Sequence, residues 1–157
     1  MSRFWTHESW RAAYQQPFYL FQLPYMSAVN ICPDVLHVVH LGTSMYLLGS
    51  VLHMLVFQVL DGCPVDNMKK VWSAITDEYK KGRVDNQYTS LTIGSFCDAS
   101  EPFEHYPKLK GRGCEVRDLV WPLLKVWEAL KQNTTQHRRI YNVLKLQVAM
   151  QSPHLRQ

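Results

Sequence analysis

An acid and two histidines lie close together where the longest uncharged run of this sequence begins. Asp34, His37 and His40 are three residues apart in CPDVLHVVHLG, so on a helix neighbouring members of the set face the same way. A carboxylate and an imidazole at this spacing suit one half of a divalent-metal site, with Asp34 and His37 as ligands. The same pattern also fits a helix cap followed by a core histidine, and spacing alone favours that interpretation.

A third histidine, His53, lies further along the same predicted helix and invites comparison with a three-histidine metal site. At about 100° per residue, His53 lies about 140° around the helix axis from His40. An unbroken helix therefore does not bring the three imidazoles together. Such a site would need a break in the helix at Gly42 or Gly49.

Charged residues open a later predicted helix and precede it. Glu115, Arg117 and Asp118 stand in its first turns, where acids usually cap the helix and oppose its dipole. A basic run before and into this helix could hold a phosphate backbone, although solvated loop charge is the commoner explanation. The candidate nucleic-acid-binding residues in this run are Lys108, Lys110, Arg112 and Arg117. The sequence contains no phosphate-binding loop, dinucleotide fingerprint or nucleophile elbow.

The element that must position Asp34 and the histidines is long and uncharged. Between Asp34 and Asp61 there is no Asp, Glu, Lys or Arg. Such a run is either a transmembrane helix or the central buried helix of a soluble core. Its histidines and Gln58 are costly in hydrocarbon, and no Lys or Arg lies in the fifteen or so residues before Asp34 to orient a span. We therefore favour a buried soluble helix over residues 33–60.

The composition is that of a globular protein. Of 157 residues 46% are hydrophobic and 12% aromatic, and the net charge of +4 permits an acidic partner without requiring one. The four cysteines are widely separated and form no CxxC pair, which excludes a zinc ribbon. Since the first sixteen residues contain no apolar signal core, we expect an intracellular chain in the nucleus or cytoplasm.

The predicted fold is mainly α, with about four helices around the long central one. Residues 1–31 read as an irregular, aromatic-rich arm, which needs something to pack on and so predicts a protein partner if this chain does not supply it. A single helical domain follows, over residues 32–157. It comprises the central helix 33–60, a helix 64–81, a long loop 83–113, and helices 114–131 and 134–151. In the last helix we expect one apolar side, made of Ile140, Val143, Leu144, Leu146 and Val148.

Two blocks of the sequence resemble a known family. CPDVLHVVHLG is similar to the block around the second catalytic Asp of cut-and-paste DNA transposases of the CACTA and related superfamilies, where His follows that Asp by three residues. YPKLKGRGCEVRDLVWPLL looks like a downstream helical region of transposon-derived proteins. Together the two blocks cover about a fifth of the chain.

The resemblance implies a fragment of a ribonuclease-H-like fold with a helical insertion. Asp34 would match the second metal-binding acid, His37 its companion, and Glu115 the third acid, in a core whose acids bind two Mg²⁺ or Mn²⁺ ions for phosphoryl transfer. The first acid should stand on an early strand, but Glu8 is the only acid before Asp34 and no strand pattern precedes it. A complete catalytic site is therefore not expected in this chain.

Three functions follow as hypotheses. The first is a transposase-derived helical domain that acts as a non-catalytic binding or structural subunit. The second is an accessory subunit of a membrane complex, with residues 35–60 as a transmembrane helix whose histidines face a pigment such as chlorophyll. The third is a metal-dependent transposase or nuclease half-site that needs another chain.

Overall fold

The computed structural model describes residues 36–151, and their side chains from residue 39 onward. The central helix, α1, runs through three consecutive segments: π-helical Leu36–Ser44, α-helical Met45–Met54 and π-helical Leu55–Val59. Three α-helices follow: α2 (Pro64–Gly82), α3 (Gly113–Leu130) and α4 (Thr135–Gln151). A single 3₁₀ turn, Ile93–Ser95, interrupts the connection between α2 and α3.

The predicted fold class is confirmed for these residues, which are mainly helical and include one long apolar helix. Residues 36–151 contain no β-strand. The predicted aromatic arm, residues 1–31, lies outside the described part of the chain. The ribonuclease-H-like origin stays a prediction that rests on the resemblance.

Helix α3 is the contact partner of every other helix, because it packs against α1, α2 and α4. Its sequence supplies apolar residues around more than half of its circumference, as a helix in the middle of a bundle requires. Pro122 lies inside α3, not in its first turn, and so leaves the Asp118 carbonyl without its helical donor. The largest fully buried side chains of the core include Leu48, Leu52, Leu55, Ile75, Tyr79, Leu119, Leu123 and Trp127.

Gly49 allows the long loop to lie directly on α1. A Cβ at this position would stand 2.8 Å from the Leu109 nitrogen and 3.0 Å from the Pro107 oxygen, both of them backbone atoms. The Leu109 N–H donates a hydrogen bond of 3.0 Å to the Met45 carbonyl. The close approach that this glycine permits is therefore made by loop backbone and not by a second helix.

Helix α2 extends one residue beyond the predicted range 64–81. Gly82 is still helical, and the left-handed residue that closes the helix is Arg83, with φ 49° and ψ 47°. The reason is a packing contact, since a Cβ on Gly82 would lie 2.9 Å from the Trp121 ring. Gly82 is needed for that close contact, and the next residue takes the strained conformation.

Asn67 joins α2 to the end of α1. Its buried side-chain amide donates hydrogen bonds of 3.0 Å to two carbonyls, those of Val56 and Leu60. The last carbonyls of a helix have no partner within it, so a donor from the next helix satisfies them. At the other end of the helical domain, the Gln147 side chain donates a buried 2.7 Å hydrogen bond to Ser44 and so ties α4 to α1.

Candidate functional site

The two predicted metal ligands, Asp34 and His37, fall at or before the point where the described residues begin. Asp34 is outside the described residues, and of His37 only the backbone is described, within the π-helical segment Leu36–Ser44. Such π-helical turns are rare and often stand at functional sites. Among residues 39–151, whose side chains are described, no three His, Cys, Asp or Glu side chains are placed to share a metal ion.

His40 is buried beside α3. Burial, together with the Arg117 guanidinium, lowers the pKa of this imidazole, while Asp118 opposes the shift. The ring is therefore neutral at pH 7, which is the form that can bind a metal or accept a proton. Its Nδ1 is buried and has no hydrogen-bond partner among the described residues.

His53 is separated from His40 by more than three turns of α1 and has a different environment. Its Nε2 lies 3.0 Å from the Pro102 carbonyl, and its ring contacts the rings of Phe57 and Phe103 at centroid distances of 4.7 and 5.1 Å. The side chain therefore secures the long loop on α1. The expectation that an unbroken helix keeps these two histidines apart agrees with this arrangement.

Glu115, the candidate third acid, caps α3. One carboxylate oxygen accepts the Arg112 backbone N–H at 2.9 Å, and the other accepts its guanidinium at 2.8 Å. These two hydrogen bonds lower the pKa of Glu115. Both oxygens are thus engaged in a local helix-start interaction, as the capping interpretation of this residue predicts.

Asp118 and Arg117 meet at one wall of a cleft. Arg117 and Asn86 donate hydrogen bonds of 2.6 and 2.8 Å to the two oxygens of Asp118. Burial acts to raise the pKa of Asp118, but these hydrogen bonds outweigh it and the pKa is lowered. The cleft has a volume of about 450 Å³ and lies between the end of α2, α3 and the end of α4. The Asp118 carboxylate is therefore already satisfied by partners within the chain.

The four candidate nucleic-acid-binding residues each have a partner within the chain. Lys108 lies over the Tyr46 ring at 5.3 Å from its centroid, and Lys110 donates a 3.0 Å hydrogen bond to the Gly94 carbonyl. Arg112 and Arg117 form ion pairs with the neighbouring acids of α3. These cations organise the loop and the start of α3, and the structure does not gather them into one free basic surface.

Helix α4 carries apolar side chains on two different faces. One face is buried in the bundle through Leu144, His137 and Gln147. On the other face three large apolar side chains are exposed to solvent: Val143 by 44%, Leu146 by 65% and Met150 by 68%. A surface helix normally presents polar residues there. We call Val143, Leu146 and Met150 the outer face of α4.

The prediction of one apolar side on α4 is therefore wrong. At about 100° per residue, Leu146 lies about 160° around the helix from the buried Leu144, and Val143 lies about 100° from it. The five apolar residues span too wide an arc for one contact. On an angular plot these five residues form one arc of about 200°, so the edge of the arc that holds Val143 and Leu146 remains exposed when Leu144 is buried.

Comparisons with known proteins identify no relative. No family model, curated protein or solved structure matches this chain. The candidate site therefore rests on the geometry of residues 36–151 alone.

Proposed function

We propose that this chain is a non-catalytic, transposase-derived helical domain that binds another protein through the outer face of α4. The transposase ancestry is supported by the resemblance of CPDVLHVVHLG. The binding function is supported by one observation, the exposure of Val143, Leu146 and Met150 on a helix whose opposite side is already buried.

The outer face is large enough to contribute to an interface. Complete burial of a side chain such as Val, Leu or Met is worth about 1.5–3 kcal/mol. Roughly half of each of these side chains is exposed, so covering all three contributes about 3 kcal/mol in total. A contribution of this size corresponds to a modest apolar interface core. It suits a partner that binds reversibly and adds polar contacts at the rim.

The non-catalytic part of the proposal is supported by Glu115. The carboxylate that the resemblance would assign to a third metal ligand holds the Arg112 backbone and guanidinium with its two oxygens. Metal binding would have to break the cap of α3, which costs about 1 kcal/mol or more. Glu115 therefore has a structural role, as the cap of α3.

A second candidate function, a subunit of a membrane complex, is favoured by the length and composition of α1. Residues Val39–Val59 are long and apolar enough to cross a bilayer. However, 56% of the apolar window is buried inside the protein, which favours a core helix. Of the histidine side chains of α1 that the structure describes, His40 is buried and His53 is engaged with Pro102, which disfavours a pigment at either.

The test of the binding function uses a synthetic amphipathic helix of three heptads with Leu at its seam and Gln at its flanks. We expect the full chain to bind this peptide, measured by fluorescence anisotropy, and Leu146→Asp to weaken binding at least tenfold because it places a charge in the contact. The control for the added charge is Ser73→Asp at an exposed position of α2, and Ala149→Asp controls for the effect of a new carboxylate on the stability of α4 itself.

Two results would contradict the binding function. One is equal binding of the peptide by the wild-type chain and by Leu146→Asp. The other is a strongly lowered melting temperature of Leu146→Asp relative to Ala149→Asp, since that would mean that the outer face is already covered within the chain.

A further inference from the structure

From the outer face of α4 we infer the chemistry of its partner: an amphipathic helix of another protein, with acidic residues flanking its apolar seam. This inference rests on the proposed function and specifies the partner of the same face. It is carried by the spacing of the exposed side chains and by the charge of α4.

The spacing favours a helical partner. Arg139, Val143, Leu146 and Met150 follow one another at intervals of four, three and four residues. This is the spacing of a coiled-coil seam, in which each side chain enters a hole formed by four residues of the facing helix. An extended strand would not match this spacing, because the side chains on one face of a strand recur every two residues.

The charge favours acidic flanks. From Thr134 to Gln151 the sequence contains no Asp or Glu, while Arg138, Arg139 and Lys145 are exposed on α4. Within residues 36–151, none of these three cations forms an ion pair with a carboxylate. Lys145, like Lys108, lies over a tyrosine ring, that of Tyr141 at 5.6 Å from its centroid, and among the described residues no carboxylate neutralises it. Arg139 continues the line of the outer face, while Arg138 and Lys145 lie about 80° and 100° around the helix from Leu146. Together they give α4 a positive charge that attracts a facing helix with Glu or Asp beside its seam.

The same charges disfavour a second copy of this chain. Two outer faces in contact would bring together two helices that each carry Arg138, Arg139 and Lys145 and no acid, and like charges across an interface are repulsive. They also do not suit a phosphate backbone, because the middle of the face is apolar and phosphate contacts need donors there.

The experiment compares three peptides that share the Leu seam and differ only at their flanking positions, which are Glu, Gln or Lys. We expect the Glu peptide to bind the full chain about tenfold more tightly than the Gln peptide, and the Lys peptide to bind more weakly than both. The advantage of the Glu peptide should shrink as salt is raised, since exposed ion pairs are screened.

A charge-reversal variant identifies the cations responsible. Arg139→Glu with Lys145→Glu should invert the preference, so that the Lys peptide binds more tightly than the Glu peptide. The control reverses two exposed lysines of α2, Lys70→Glu with Lys80→Glu, which changes the net charge equally and should leave the preference for the Glu peptide intact.

Failure of this inference and failure of the proposed function give different results. Equal binding of all three peptides that still depends on Leu146 would overturn the acidic partner and leave the binding function standing. Binding of none of them would overturn both. A concentration-dependent dimer in sedimentation that Leu146→Asp abolishes, or a DNA duplex that displaces the Glu peptide, would overturn the acidic helix in favour of a second copy or a nucleic acid.

Discussion

Trp127→Ala is expected to lower the free energy of unfolding by about 3–5 kcal/mol, the usual range for removing a buried Trp. Trp127 is fully buried on α3, where its indole N–H donates a 3.2 Å hydrogen bond to the His137 carbonyl of α4. The substitution both opens a cavity and removes the donor that joins the two helices. Chemical denaturation followed by circular dichroism measures the loss.

Trp127→Phe separates the two contributions. It keeps most of the ring volume and removes the N–H, so we expect a smaller loss of about 1–2 kcal/mol. Hydrogen exchange should show the amide protons of α4 losing protection first in both variants, because α4 packs mainly on α3. A loss below 1 kcal/mol for Trp127→Ala would contradict the packing described here.

Asn67→Ala is expected to lower the free energy of unfolding by roughly 2–4 kcal/mol. It removes both donors that satisfy the Val56 and Leu60 carbonyls, and each buried carbonyl left without a partner costs about 1–3 kcal/mol. Asn67→Asp should be at least as damaging at pH 7, because a carboxylate of the same shape directs negative charge at the same two oxygens.

The control for Asn67 is Lys70→Ala, an exposed substitution one turn further along α2, which should change stability by no more than about 0.5 kcal/mol. Equal melting temperatures for Asn67→Ala and Lys70→Ala would show that the end of α1 does not depend on α2.

The spacing of apolar and charged residues along the sequence was sufficient to predict the fold class. The charge-free run predicted α1. The predicted helix 64–81 contains Met68, Val71, Ile75 and Tyr79 at intervals of three and four residues, and these are buried residues of α2. Both signals are local, because a helix buries one face of its own sequence. The structure adds π-helical segments at both ends of α1, which depend on how neighbouring elements pack.

The contacts between residues far apart in the sequence could not be predicted from local sequence patterns. Nothing around Asn67 distinguishes it from a solvent-exposed Asn in the first turn of a helix, since its two acceptors belong to α1. Nor does the local sequence show why Gly82 is a glycine: a glycine near a helix end usually terminates the helix, whereas Gly82 makes room for the Trp121 ring. Contacts between distant residues decide both cases.

The candidate site was predicted in part. The sequence allowed two roles for Glu115, a helix cap or a third metal-binding acid, and the structure shows the cap. The outer face of α4 was missed, because apolar residues in a basic helix were assigned to a single buried side. The two interpretations of Leu146 differ only in its angle around the helix axis, and the sequence pattern alone favoured the core.

The central claim is that this chain acts by binding and not by metal chemistry, and calorimetric titration with Mn²⁺ tests it most directly. Mn²⁺ is titrated into the full chain, into Asp34→Ala and into the control Asp61→Ala, which removes the same charge beyond the other end of α1. We predict the same weak, unsaturated heats for all three proteins. Saturable binding that Asp34→Ala abolishes and Asp61→Ala retains would contradict the claim, and would make this chain one half of a metal-dependent active site.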